Sequence, residues 1–304
     1  MNLVETHHLT RRYWRTEAVH DLNLAVPEGS IYALLGANGA GKTTTIKVLM
    51  NLLAPSAGEA RVLGVDSRRL APAQRAQIGY VSEDQRPPLW MTVRQLLDYC
   101  RPFYPTWDPA LEAALLRQFA LPVDRPLKHL SRGMRMKAAL LSSLAYRPKL
   151  LVLDEPFSGL DPLARDDLVR GVLEASEQGD WTVLISSHDI EEVERLADHV
   201  ALLESGRLQF AEPTESLLGR FRRIEVSLAG DRPPAGAPAS GWLEWEWEGG
   251  RVRFIETRFD RDATDRACRE RFSSAAFTVH PMTLREIFIT LARAGRPDTK
   301  GAAA

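Results

Sequence analysis

Hydrophobic positions in the first two thirds of the chain follow two periods, one typical of strands and one typical of helices. Leu22, Leu24 and Val26 alternate with polar or small residues, which predicts a strand with one buried face. Short apolar runs predict further strands at residues 31–35, 58–63, 78–81, 150–153 and 183–187. Helical spacing predicts helices at residues 42–53, 163–177 and 189–197. Strands that alternate with helices favour an α/β fold, in which helices cover a mainly parallel sheet.

The stretch between residues 92 and 146 has a different pattern. It is rich in Leu, Ala, Arg and Gln, and Leu111, Leu115 and Phe119 recur at helical spacing. We therefore predict a helical subdomain, at about 88–147, inserted into the α/β core.

Strand-like alternation returns beyond a domain boundary that we predict near Gly219. Leu243, Trp245 and Trp247 are expected on one side of a strand, and the glutamates between them on the other. Helical spacing follows at 260–272 and 283–294. The prediction is a first domain at 1–218 and a small C-terminal α+β module at 219–304. We interpret the tryptophans as part of a half-buried strand, and a ligand platform is the alternative.

Composition excludes several classes of protein. The 304 residues are 44% hydrophobic and 26% charged, as in globular proteins of two domains, and the net charge of −1 argues against a dominant polyanionic partner. No apolar run reaches the roughly 18–20 residues that span a bilayer, and we expect no signal peptide. Cys100 and Cys268 lie far apart, which favours a reducing compartment without a disulfide framework.

A complete phosphate-binding loop lies between a predicted strand and a predicted helix. Residues 36–43 read Gly-Ala-Asn-Gly-Ala-Gly-Lys-Thr. The glycines let backbone N–H groups point at phosphate oxygens, and the following helix adds the positive end of its dipole. Lys42 is expected to reach the β- and γ-phosphates of a nucleoside triphosphate, and the Thr43 hydroxyl to ligate Mg²⁺. The predicted nucleotide-binding residues here are Gly36, Asn38, Gly39, Ala40, Gly41, Lys42, Thr43 and Thr44.

Two further predicted strands end in polar residues. Asp154 and Glu155 follow the run at 150–153, and His188 follows the run at 183–187. The carboxyl ends of parallel strands form the ligand crevice of such sheets. We therefore predict that Asp154 holds Mg²⁺, that Glu155 is the general base for an attacking water, and that His188 contacts the γ-phosphate or the water.

A second phosphate contact is predicted where a helix begins after Leu130. Ser131 is suited to cap the helix, and Gly133 would let the backbone approach a ligand. A serine and a glycine at such a position usually form only a helix cap, so this segment by itself is a weak signal.

Taken in order, these segments resemble the ATP-binding subunit of an ABC transporter over roughly residues 2–215. The loop at 36–43 matches Walker A, 150–154 with Glu155 matches Walker B, 158–161 with Asp161 matches the D-loop, and His188 matches the switch histidine. Tyr13 matches the aromatic residue that stacks on adenine, for which Trp14 is the alternative. Residues 130–134 resemble the signature Leu-Ser-Gly-Gly-Gln, with Arg132 and Met134 as departures. Residues 282–288 resemble the tail of type-2 exporter ATPases that serve drug or peptide-antibiotic efflux.

One departure concerns the glutamine that the family carries after the strand at 78–81. Glu83 occupies the expected position, and Gln85 lies two residues later. We assign the role to Glu83 by position, which adds a carboxylate that approaches Mg²⁺ or the water, and Gln85 is the alternative.

The resemblance implies an ATPase that uses ATP and Mg²⁺. Two cassettes, identical or paralogous, would face each other head to tail, with the signature residues Ser131 and Gly133 completing the site of the opposite chain. Asp161 of the D-loop would be a further nucleotide-binding residue. An integral membrane permease on a separate chain would be the partner, and the location would be cytoplasmic, on the inner face of the cell membrane. The groove for the permease would be lined by Leu89, Trp90, Phe103, Tyr104 and Trp107, or these side chains simply pack in the subdomain.

Two other functions compete with transport. A soluble ABC-type ATPase that remodels nucleic acid or ribosomes is the main alternative, but its usual tandem cassettes, coiled-coil insertion or zinc modules are not found in the sequence. The charge of residues 219–304 is also too balanced for a strong nucleic-acid footprint, so we expect no nucleic-acid partner. A P-loop kinase of a small metabolite would leave the signature and D-loop segments unexplained.

Overall fold

The computed structural model describes residues 1–177, 181–228, 240–272 and 277–294. Two compact units are present, Met1–Ala211 and Glu212–Ala304. The boundary predicted from the sequence, between residues 218 and 219, lies inside the helix Thr214–Arg220 and stays a prediction.

The first unit contains two sheets. Its strands are β1 (Asn2–Tyr13), β2 (Thr16–Pro27), β3 (Ile31–Leu35), β4 (Ala57–Val62), β5 (Val65–Asp66), β6 (Ile78–Ser82), β7 (Leu150–Asp154), β8 (Thr182–Ser187), β9 (His199–Glu204) and β10 (Arg207–Pro213), the last of which runs into the second unit. One sheet has the order β2-β1-β4-β5 and is antiparallel, and the other has the order β10-β9-β3-β8-β7-β6.

The six-stranded sheet is parallel from β6 to β9, as the sequence predicted. Every residue of β3, β7 and β8 is buried, because helices cover both faces of a parallel sheet. In register, Ser82 pairs with Asp154, Asp154 with Ser186, and Leu35 with Ser187. The carboxyl ends of four strands therefore meet at one edge of the sheet, where the predicted site residues follow.

The helices of the first unit are α1 (Lys42–Leu49), α2 (Pro72–Arg75), α3 (Val93–Cys100), α4 (Pro109–Gln118), α5 (Arg132–Leu144), α6 (Pro162–Glu177) and α7 (Ile190–Glu194). The prediction that α1 continues to residue 53 was wrong by four residues. Asn51 has a φ of 56°, and the N–H groups of Leu52 and Leu53 both donate to the Lys47 carbonyl, which closes the helix. Helices α3, α4 and α5 lie inside the predicted helical insertion.

The second unit contains α8 (Thr214–Arg220), β11 (Arg222–Ser227), β12 (Trp242–Glu248), β13 (Arg251–Glu256), α9 (Arg261–Phe272), β14 (Phe277–Pro281) and α10 (Leu284–Ala294). Its strands form one antiparallel sheet in the order β12-β13-β11-β14. This is the predicted α+β module in architecture.

The predicted alternation along β12 was wrong at its start. The register shifts between Leu243 and Glu246, and Glu244 has a φ of 49°, so one extra residue is accommodated as a bulge. As a result Trp242, and not Leu243, shares a face with Trp245, and their rings stack at 5.7 Å. These rings pack on Phe254 in the core of the unit. The interpretation of the tryptophans as a packed strand face therefore fits the structure better than a ligand platform.

Among the residues that the structure describes, no helix combines the length and the apolar character that crossing a bilayer requires.

Candidate nucleotide site

The glycine-rich loop between β3 and α1 depends on close backbone contacts at two glycines. Gly36 has a φ of 155°, and a Cβ there would lie 2.3 Å from the Leu203 carbonyl oxygen. Gly41 has a φ of 104°, and a Cβ there would lie 2.4 Å from the Ala18 carbonyl oxygen. The neighbouring strands thus approach the loop so closely that only glycine fits, and the loop wraps over the start of α1.

The other predicted loop residues lie between and after these glycines. Asn38 and Gly39 are exposed at the tip, whereas Ala40 is buried and its carbonyl accepts the Gly206 N–H at 3.0 Å. Thr44 is half-buried in the first turn of α1. The N–H groups at the start of this helix have no carbonyl four residues earlier within the helix, so they are suited to an anion.

Gly41→Ala is expected to destabilise the loop and weaken ATP binding, because the new methyl group would collide with a backbone carbonyl that cannot rotate away. Gly39→Ala is the matched control. It also has a positive φ, 84°, but a Cβ built there meets no heavy atom of the described residues within 4 Å. We expect Gly41→Ala to lower the free energy of unfolding by about 1–3 kcal/mol more than Gly39→Ala. Thermal unfolding and ATP titration measure this, and equal effects of the two variants would contradict the assignment.

Lys42, Glu155 and His188 form a series of polar side-chain contacts at the carboxyl edge of the sheet. The buried Lys42 Nζ donates to the carbonyl oxygens of Gly36 at 2.6 Å and Ala37 at 3.2 Å, and lies 3.0 Å from Glu155 Oε1. Glu155 Oε2 lies 2.7 Å from His188 Nδ1. The three predicted catalytic residues are therefore brought together, with the carboxylate between the ammonium and the imidazole.

Asp154 precedes Glu155 in the sequence, and two hydroxyl groups hold its carboxylate. Its Oδ1 accepts the Thr43 hydroxyl at 3.0 Å and the Ser186 hydroxyl at 2.7 Å. The carboxyl is almost fully buried, and this desolvation raises its pKa, while the two hydrogen bonds act in the opposite direction. The two predicted Mg²⁺ residues on α1 and β7 thus face each other directly.

Ser186 is a site residue that sequence reasoning missed. Besides Asp154, its hydroxyl group accepts the Glu155 N–H at 3.0 Å, and Glu155 has a left-handed φ of 52°. One serine therefore fixes both carboxylate residues that end β7. The signal in the sequence is a pair of hydroxyl residues, Ser186 and Ser187, at the end of a fully buried strand, where each polar group needs a partner.

Glu83 contacts Asp154 through its backbone, and its side chain contacts other residues. Its N–H donates to the Asp154 carbonyl at 3.1 Å, whereas its Oε1 contacts Arg132 and accepts the Ser158 hydroxyl at 3.0 Å. Gln85 is exposed, and its N–H closes a turn on the Ser82 carbonyl. No group of three His, Cys, Asp or Glu residues within the described ranges is arranged to hold a metal. A metal contact from Glu83 stays a prediction.

Ser131, Gly133 and Asp161 lie at the starts of α5 and α6. The Ser131 hydroxyl accepts the Met134 N–H at 3.2 Å, and the Asp161 carboxylate accepts the Ala164 N–H at 2.9 Å, so both residues cap helices. Gly133 is buried, and a Cβ there would lie 2.7 Å from the Ala164 side chain. Close packing of α5 on α6 explains this glycine within one chain, and ligand contacts of the three residues stay predictions.

The aromatic residues assigned to adenine lie where β1 turns into β2. Tyr13 is partly exposed, and the Arg11 guanidinium lies 4.7 Å from its ring centroid. Trp14 is fully exposed and has a φ of 47°. Both side chains are exposed, and the assignment of Tyr13 or Trp14 to adenine stays a prediction.

The five side chains predicted for a permease groove divide into two groups. Leu89, Trp90 and Phe103 are exposed. Tyr104 stacks on Tyr146 with ring centroids 3.7 Å apart, and Trp107 Nε1 donates to Glu112. Ordinary packing in the helical insertion therefore accounts for the last two, and the first three remain available to a partner.

Comparison with known proteins agrees with this geometry. Residues 19–158 match the ABC transporter family. The bacitracin transport ATP-binding protein BcrA of Bacillus licheniformis is 31% identical over 233 residues, which cover 75% of this chain and 75% of the relative. The daunorubicin/doxorubicin resistance ATP-binding protein DrrA of Streptomyces peucetius is 38% identical over 213 residues, which cover 67% of this chain and 63% of the relative.

A solved structure of an ATP-binding subunit of an ABC transporter superposes with a TM-score of 0.64 at 29% identity, over 71% of this chain and 91% of that chain. The predicted fold class is confirmed: a P-loop NTPase core with an antiparallel β subdomain and a helical insertion, followed by an α+β module. The predicted ATPase activity, coupled to transport, is likewise confirmed as the activity of the family. This chain belongs to the ATP-binding subunits of ABC transporters.

Proposed function

We propose that this chain drives the export of a compound through a separate membrane permease by binding and hydrolysing ATP. The observation that carries the proposal is the contact chain Lys42–Glu155–His188 beside the Asp154–Thr43 pair. A cation for phosphates, a base for water and a pair of oxygen ligands are the groups that ATP hydrolysis needs at one place. The relatives are named for bacitracin transport and for daunorubicin/doxorubicin resistance, which supports export as the direction.

The loop at 36–43 would bind the triphosphate through its backbone N–H groups, with Asn38, Ala40 and Thr44 among the contacts. Lys42 is already desolvated and surrounded by oxygen atoms, so phosphate oxygens can take the place of Glu155 on its ammonium group. Tyr13 or Trp14 would stack on the adenine.

Thr43 and Asp154 would hold Mg²⁺, because a hydroxyl and a carboxylate are the oxygen ligands that this ion accepts. When bound, the ion would neutralise charge on the phosphate oxygens. Glu83 is proposed as an additional group on this side, but its Oε1 already accepts from Ser158 and contacts Arg132.

Glu155 would accept a proton from the attacking water, and His188 would hold that carboxylate and contact the γ-phosphate. The left-handed φ of Glu155 and the hydrogen bond from its N–H to Ser186 set the direction of the side chain. Its Oε1 would be free to turn toward water once Lys42 contacts phosphate.

Assembly with partners completes the proposal. A second cassette, identical or paralogous, would contribute Ser131, Gly133 and Asp161 to the nucleotide bound by the first. ATP would then favour the closed pair by as much as it binds that state more tightly. A permease would dock at the exposed Leu89, Trp90 and Phe103, on the cytoplasmic face of the membrane.

Copurification tests the function. The tagged chain is extracted with its cellular membranes in mild detergent, and an integral membrane protein is expected to copurify in fixed stoichiometry. Compounds that the complex exports are expected to stimulate its ATP turnover. Recovery of the chain without any membrane protein, together with salt-sensitive binding to nucleic acid, would instead support the remodelling ATPase.

A further inference from the structure

Three segments of the first unit converge on the carboxylate of Glu83. Glu83 follows β6, Arg132 begins α5, and Ser158 follows β7. Arg132 Nη2 lies 2.5 Å from Glu83 Oε1, and the Ser158 hydroxyl donates to the same oxygen at 3.0 Å. A charge-assisted bond and a hydroxyl bond therefore join the signature and D-loop segments to the end of β6.

The neighbouring Gly159 makes room for this arrangement. It has a φ of 63°, and a Cβ there would lie 2.7 Å from Arg132 Nη1 and 2.8 Å from Arg132 Cζ. The guanidinium thus packs directly against the glycine backbone, and any side chain at 159 would displace it. This contact is independent of the bond to Glu83 and places Arg132 in the same position.

The two positions at which the sequence departs from the resembled pattern carry opposite charges. In the resembled pattern, position 83 is a neutral glutamine and position 132 is a glycine. Here the two positions hold a carboxylate and a guanidinium in contact. A carboxylate at position 83 without a cation in contact would be an unpaired charge where the resembled pattern has a neutral side chain. The guanidinium offsets that charge at the point where the Glu83 N–H bonds the Asp154 carbonyl.

The pair is too exposed to matter much for folding. Arg132 and Glu83 are 45% and 38% exposed at their side chains, and ion pairs at such positions contribute little to the stability of a protein. The pair instead affects where segments lie, because it links the first turn of α5 to the residue whose backbone contacts Asp154.

We propose that Glu83 and Arg132 act together as positioning residues for ATP hydrolysis. Opposite charge at the two positions holds the start of α5 against the carboxyl edge of the sheet within one chain. Turnover then depends on the pair, and neither residue carries the role alone. The inference rests on the ATPase activity of the family and not on the cargo or on the direction of transport.

Charge reversal tests the pair in the full-length chain. Glu83→Arg and Arg132→Glu are each expected to lower kcat about tenfold, which is the size of a coupling between contacting charges, with KM for ATP within about twofold. The double variant, with the charges exchanged, is expected to regain most of the lost kcat. Gly159→Ala is expected to act like the single variants, because it displaces the guanidinium.

Arg135→Glu is the matched control, since it is the same change one turn along α5. It is expected to retain parental kcat. All charge variants are expected to keep parental unfolding temperatures within a few degrees, whereas Gly159→Ala also strains the backbone at a left-handed φ of 63°. If the effects of the single variants multiply in the double variant, or if neither single variant alters kcat, the proposal is overturned. Equal losses of unfolding temperature and activity that the exchange does not restore would show a merely structural role. If the ATPase assays show the expected rescue but the protein exports no compound, the proposal for the pair stands and only the proposed export function is contradicted.

Discussion

Replacing Lys42 with alanine is expected to reduce ATP turnover at least about a hundredfold, the loss typical for removal of one preorganised charge from a transition state. The Lys42 ammonium is buried among the carbonyl oxygens of Gly36 and Ala37 and the Glu155 carboxylate. It is therefore desolvated before phosphate arrives, and its attraction for phosphate oxygens is correspondingly strong. ATP binding is expected to weaken as well, because ground-state phosphates contact the same group.

Lys47→Ala is the matched control for this experiment. Lys47 lies on the same helix but is about one-third exposed, with Asp84 as an ion-pair partner at 3.7 Å. We expect it to retain turnover within about twofold, since exposed pairs of this kind contribute little. Steady-state ATPase assays and calorimetric titration with ATP and Mg²⁺ compare the variants. Parental turnover in Lys42→Ala would refute the assignment of the loop.

Replacing Glu155 with glutamine is expected to preserve ATP binding while lowering turnover about 10²–10⁴-fold, as loss of a general base does. The amide has nearly the same shape and can still contact His188, but it cannot accept a proton from water. Removal of one negative charge also reduces repulsion with the triphosphate. ATP is therefore expected to accumulate on the variant and to stabilise a dimer.

Single-turnover hydrolysis, nucleotide titration and size-exclusion chromatography with ATP measure these three outcomes. Glu28→Gln provides the control, because Glu28 is an exposed carboxylate in the turn before β3, at the amino end of the sheet. It should hydrolyse ATP at the parental rate and form no additional dimer. Parental hydrolysis by Glu155→Gln would mean that another group is the base.

The elements that sequence analysis predicted best are those whose cause is local. The glycine loop was recognisable because Gly36 and Gly41 adopt backbone conformations that other residues avoid, and the residue types beside them are chemically specific. The buried strands β3, β7 and β8 were recognisable as unbroken apolar runs, since both faces of each strand are covered.

Other features were not recognisable because they depend on contacts between distant segments. Ser186 holds Asp154 and Glu155 across adjacent strands. The pair of serines at the end of a buried strand indicates that a partner is needed, but not which residue it is. The bulge at Glu244 places Leu243 on the face of β12 opposite to Trp245, because one inserted residue reverses the face of every side chain that follows it. In neither case does the sequence of a single segment show which contact forms.

Sequence by itself determined the family, the phosphate-binding loop and the order of the catalytic segments, because backbone conformation and residue chemistry are encoded within a few neighbouring positions. Only the tertiary structure decided which partners those side chains take. Glu83 was expected beside a metal, and the fold gives its carboxylate oxygen to Arg132 and Ser158. The reason is physical: these residues come from segments up to 75 positions apart, and their meeting is set by strand register and helix packing.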